Sequence, residues 1–327
     1  MTQLDTSKAA DAIKRGDNIG ALRFLKSNLK KDPNHIDSLY LAAVSSRYLK
    51  NYDDSKKYIE SLLSNAPDMG RAYQELGHLS RDIGNEEDSI RHYRQACELN
   101  PALPSSWKSL YSYFKKNQNK PAADHAYMQM NTLETMPNTL LFISQILNEG
   151  KLGIAEEKCR EFLKQYPTNT YAMSLLSDIA DRLGYFDDAE FLLESAVKMS
   201  PKDGELRMKY AMILRKKQKF AKTMEQVNIL CEKFPENLSY QAQKASEIMQ
   251  NGDHKGAIDL FDDILKKNPY NFSILTSKGH AQKTLGESDR AIKSYQTAYQ
   301  VKQDHGEAFF SLANLKTYEF SKNELNI

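Results

Sequence analysis

Cysteine is scarce in this sequence. Cys97, Cys159 and Cys231 stand far apart in 327 residues, an odd count at spacings that suit neither a disulfide framework nor a zinc site. They read as small buried hydrophobes in a reducing compartment. An excess of charge of one sign is also missing: 45 basic and 43 acidic side chains leave a formal charge of +2, so the basic face typical of nucleic-acid binders is not expected. No run approaches the roughly 18 apolar residues of a membrane span. Met1-Thr2-Gln3-Leu4-Asp5 carries neither the basic nor the apolar region of a secretory signal. The expectation is a soluble, cytoplasmic chain with neither nucleic acid nor membrane among its partners.

Chemistry-bearing patterns are lacking too. No glycine-rich phosphate loop follows a strand, and no convincing strand is present. The seven histidines never pair at a spacing of three or four with another metal-ligating His or Cys. His78 and His280 occupy equivalent places several repeats apart and read as solvated. Asp53-Asp54, Asp187-Asp188 and Asp262-Asp263 sit where second helices open, as partners of the helix dipole and not as general acids. No catalytic residue, metal or cofactor is expected.

What the sequence does hold is a ruler. Pro33, Pro67 and Pro101 are 34 residues apart, as are Pro167, Pro201, Pro235 and Pro269. The step from Pro101 to Pro167 is 66, two periods less two residues, which places a deletion near residue 136. Gly16, Gly84, Gly150, Gly184, Gly252 and Gly286 keep the same ruler midway between prolines, where a chain leaving one helix for another favours positive φ. A third register holds only small side chains: Ala21, Ser55, Ser89, Ala123, Ala155, Ala189, Thr223, Ala257 and Ala291. Small residues there let two helices approach closely. Between the marks the apolar pattern is helical, as in Tyr73, Leu76 and Gly77, then Ile90, Tyr93, Ala96 and Cys97.

A helix–turn–helix unit of this length, with a small residue two-thirds along and proline near its end, resembles the tetratricopeptide repeat. Trp107, Leu110, Tyr111 and Phe114 look like the opening of that motif and Pro101 like its close. The resemblance implies an all-α, right-handed superhelical solenoid of about nine repeats, forming a single domain. Their bounds are about 2–35, 36–69, 70–103, 104–135, 136–169, 170–203, 204–237, 238–271 and 272–305, with a capping helix over 306–318 in which Phe309, Phe310 and Leu312 close the stack.

It also implies that first helices line a concave groove, and hence a non-catalytic interaction scaffold that holds a peptide or protein partner there. The face left free by packing runs Tyr40, Val44, Arg47; Gln74, His78, Arg81; Lys108, Ser112, Lys115; Leu140, Ser144, Leu147; Asp178, Asp181; Met208, Met212, Arg215; Met249; and His280, Lys283. Arg47, Arg81 and Lys115 are 34 apart and are expected to stack as a basic stripe for an acidic ligand, with Asp178 and Asp181 making the middle of the groove acidic. The Lys/Asn/Arg clamp that holds a C-terminal carboxylate in chaperone-binding members has no counterpart here. The segment from Ser311 to Ser321 resembles the junction between repeats and catalytic domain in bacterial tetratricopeptide–sulfotransferase proteins. That likeness implies an alternative, the N-terminal arm of a sulfotransferase whose catalytic domain lies outside this chain.

Overall fold

The computed structural model describes residues 4–304, 306–315, 318 and 320. Helices follow the ruler, and no strand occurs among the described residues. Two compact units divide the chain, Met1–Pro167 and Thr168–Ile327.

The first unit holds α1 (Ser7–Lys14), α2 (Asn18–Lys31), α3 (Ile36–Tyr48), α4 (Tyr52–Asn65), α5 (Gly70–Asp82), α6 (Glu86–Leu99), α7 (Pro104–Lys116), α8 (Lys120–Thr135), α9 (Asn138–Asn148) and α10 (Leu152–Gln165). The second holds α11 (Thr170–Arg182), α12 (Phe186–Met199), α13 (Gly204–Lys216), α14 (Phe220–Lys233), α15 (Leu238–Gln250), α16 (His254–Lys267), α17 (Phe272–Thr284), α18 (Ser288–Val301) and α19 (Gly306–Ala313). Within each unit successive helices pack side by side as a solenoid, with one exception: α9 packs on α10 and makes little contact with α8.

The registers explain the stacking. All nine small residues of the third register are buried, from Ala21 to Ala291. The turns between paired helices need a left-handed residue. Glycine supplies it at positions 16, 84, 150, 184, 252 and 286, and Lys50, Gln118 and Gln218 fill the three intervening places with φ of 62°, 55° and 58°. A side chain there costs some strain, which the flanking helices hold.

The deletion falls inside a helix. First helices of 13 residues are the rule from α3 onward, yet α9 has 11 and the preceding α8 runs to 16. The second unit closes on an aromatic cluster, with Leu312 and Leu315 packed on Ala291 and Tyr295, and the ring of Phe309 4.6 Å from that of Phe320. Phe310 is 66% exposed, so it takes no part in the cap expected of it; its side chain lies on the outer side of a short helix. Residues 316, 317, 319 and 321 of the sulfotransferase-like segment lie outside the described residues. No described helix is long and apolar enough to cross a membrane.

Candidate functional site

The expected basic stripe is broken at its first member. Arg47 is buried at 7% exposure, its Nε donating to Glu75 Oε1 at 2.5 Å and its Nη1 to Asp82 Oδ2 at 2.8 Å. Burial works against its charge, but these two carboxylates hold it firmly protonated. A cation so neutralised attracts no ligand. Arg81 remains 53% exposed and shares Asp82 with Arg47. Lys115 is exposed over the ring of Tyr111, and Lys108 is exposed with no ion pair among the described residues.

Histidine 78 is not solvated as expected. Its Nδ1 is hydrogen-bonded to the Tyr93 hydroxyl at 2.7 Å, and burial, helped by Arg47 and Arg81 nearby, pushes its pKa down to about 4. Gly77 makes room for the same ring, since a Cβ there would stand 2.6 Å from Tyr93. His280 and Tyr295 repeat the contact at 2.9 Å in the second unit. Gln74 donates to Ser106 Oγ at 3.0 Å, tying α5 to α7.

Between α5, α6 and α7 lies a cleft of about 630 Å³. Four of the residues picked from the sequence line it: His78, Arg81, Lys108 and Ser112. Ile90, Tyr93 and Tyr113 give it an apolar floor that the sequence reading did not include, and the Lys116–Glu86 pair stands at its rim. Tyr40 and Val44 lie elsewhere on the unit. Tyr40 is half-buried beneath the Arg71 guanidinium, and desolvation pushes its hydroxyl up to about 12. Leu140, Ser144 and Leu147, read as groove-facing, are buried instead, because α9 is packed inward and does not continue the row.

In the second unit the expected acidic middle is cancelled by pairs one repeat apart. Lys209 Nζ donates to Asp178 at 2.6 Å and Lys216 Nζ to Asp181 at 2.6 Å. Arg215 donates to the buried Glu247 at 2.8 Å. Lys209 and Glu247 were missed because each sits just beside the row followed in the sequence. The signal that finds them is opposite charge at a separation of 31–35 residues. Met208 and Met249 are half-buried, Met212 is 51% exposed, and Lys283 is exposed. His280 Nε2 is 3.2 Å from Glu307.

Comparison with known proteins gives this architecture its place. Tetratricopeptide-repeat family models match residues 37–68, 70–103, 171–203 and 272–305. A TPR repeat-containing protein of Methanocaldococcus jannaschii is 24% identical over 227 residues, 66% of this chain and 40% of the relative, so the chain spans about two-fifths of that protein's length. Among solved structures, the human IFIT1 dimer with m7Gppp-AAAA superposes with a TM-score of 0.50 at 17% identity, over 94% of this chain and 79% of that one. YrrB, described as a TPR protein with an unusual peptide-binding site, gives 0.43 at 12% identity, over 67% of this chain and 96% of its own.

Proposed function

This chain carries tetratricopeptide repeats in both of its units, and on that premise we propose that it is a non-catalytic interaction scaffold that holds an acidic peptide segment of a protein partner in the α5–α7 cleft. The observation that carries this reading is the cleft's division of labour. An apolar floor of Ile90, Tyr93 and Tyr113 takes a hydrophobic side chain, and Arg81 and Lys108 at its mouth face an adjoining carboxylate. Among the described residues no anion pairs with Lys108, so its charge is available to a ligand. Cations in this position mainly raise the association rate and select against basic ligands. In the second unit Lys209, Arg215 and Lys216 are spent on Asp178, Glu247 and Asp181, which favours the first unit as the recognition surface.

The test uses a peptide array in which a Phe or Leu is followed by one to three Glu residues. Arg81→Glu with Lys108→Glu is expected to weaken the best binder by at least about tenfold, roughly 1.4 kcal/mol. Reversal of Lys57, Lys164 and Lys198 on second helices should leave it unchanged. Equal affinity for both triple and double variants, with no salt dependence, overturns the cleft assignment.

A further inference from the structure

The inward packing of α9 makes a second surface visible. At the start of α5, Arg71 Nη2 donates to Glu149 Oε2 at 2.5 Å; the Glu149 side chain is 3% exposed, and Arg71 also stacks over Tyr40 at 4.8 Å. At the start of α3, Asp37 accepts from Lys151 Nζ at 2.8 Å. Just before α7, the Gln145 side chain donates to the Ala102 carbonyl at 2.9 Å, while Asn100 donates back to the Gln145 carbonyl at 3.1 Å. The final turns of α9 and the turn after it therefore grip the N-terminal ends of three successive first helices.

The N-caps of two of those helices, α5 and α7, fit this arrangement, while α3 is capped by His35, which accepts the Ser38 N–H. In the second unit Asn169, Asp203, Asn237 and Asn271 occupy the cap position, and each accepts a backbone N–H of its own helix. The equivalent residues of α5 and α7 are Met69 and Leu103, which are 6% and 2% exposed and cap nothing. Apolar residues at these two places make the rim a dry surface flanked by one cation, Arg71, and one anion, Asp37.

We propose that this rim is a helix-docking surface, held in this structure by the chain's own α9, and that it accepts a partner helix of the same chemistry: an apolar face ending in an amide, then an acidic residue for Arg71 and a basic residue for Asp37. The chain itself supplies the template in Gln145, Glu149 and Lys151. α9 is two residues short of the other first helices and has α10 as its main helical neighbour, so this grip adds to a limited set of contacts. The rim is distinct from the α5–α7 cleft. Arg71 and Arg81 are ten residues apart on one helix, about 15 Å by helical rise, so a ligand in the cleft and a helix on the rim have separate tests.

The probe is a labelled peptide of residues 138–151, titrated into the full chain and followed by anisotropy. Glu149→Arg in the chain leaves the rim intact and mismatches its own α9, so this variant is expected to bind the native peptide at least about tenfold more tightly than wild type does. A peptide carrying Glu149→Arg should bind only to Arg71→Glu protein. Amide exchange should accelerate over 138–165 in Arg71→Glu and in Glu149→Arg, with α3–α7 still protected, and return toward wild type when both changes are combined. Should Glu149→Arg disturb α3–α7, Gln145→Ala with Lys151→Ala tests the same release without charge reversal. Equal peptide binding by wild type and released variants, or unchanged exchange over 138–165, overturns the proposal.

Discussion

In α5–α6 of the first unit, Gly77 receives the ring of Tyr93 and His78 bonds its hydroxyl; in α17–α18 of the second, Gly279, Tyr295 and His280 repeat the arrangement. The same contact nevertheless sits in different surroundings. His78 lies beside Arg47 and Arg81, two cations that disfavour its protonation, whereas His280 turns its other nitrogen to the exposed Glu307. The helix ends differ as well: polar caps on α13 and α17 in the second unit, Met69 and Leu103 at the starts of α5 and α7 in the first. A repeat fixes how neighbouring helices meet and leaves the electrostatics to whatever residues the adjacent repeats bring.

The largest expected effect breaks the shared contact. Tyr93 is 1% exposed and Tyr295 is fully buried, and each fills a space shaped by a glycine. Tyr93→Ala and Tyr295→Ala should each cost about 3–5 kcal/mol, in the range for deleting a buried ring. Because repeats are stabilised by their neighbours, amide exchange should rise around α5–α7 in the first variant and around α17–α19 in the second. Uniform loss across both units would show that the two contacts are not independent.

Next comes pH, which should act through His78. His78 has a folded pKa of about 4 against 6.5 unfolded, so below pH 6.5 the unfolded chain binds a proton that the folded one refuses. Its contribution is fully present above pH 6.5 and is lost as pH falls toward 4, by up to about 3 kcal/mol. Denaturant titrations between pH 7 and 4.5, read on the first unit, should show that slope in wild type and not in His78→Gln.

The smallest effect concerns the caps. Asp203→Ala and Asn271→Ala should each lower stability by about 1 kcal/mol, measured by urea unfolding. Leu103→Asn, which would strengthen an exposed helix end, should lower stability here because it places a polar side chain at a site 2% exposed. A gain in stability from Leu103→Asn would mean that the start of α7 is open to water, against the rim described above.

Much of this was legible in the residues. The 34-residue spacing of prolines, glycines and small side chains placed the turns and the close helix contacts, and the step of 66 marked the place where stacking changes. Lys50, Gln118 and Gln218 escaped notice because their types do not advertise a positive φ; only their positions on the ruler do. Four of the candidate residues do line one cleft. Arg47 does not, since a charge picked by helical face alone carries no record of the Glu75 and Asp82 side chains that enclose it.

By itself the sequence determined the helical repeat, because that repeat rests on interactions between residues close in the chain: a proline that ends a helix, a left-handed turn, a small residue under a neighbouring ring. The tertiary structure alone decided which charges remain free and where α9 lies. Arg47 meets Glu75 and Asp82 at separations of 28 and 35 residues, and Lys151 meets Asp37 at 114. Contacts at such distances depend on where each side chain points once the helices are stacked, which no local periodicity encodes.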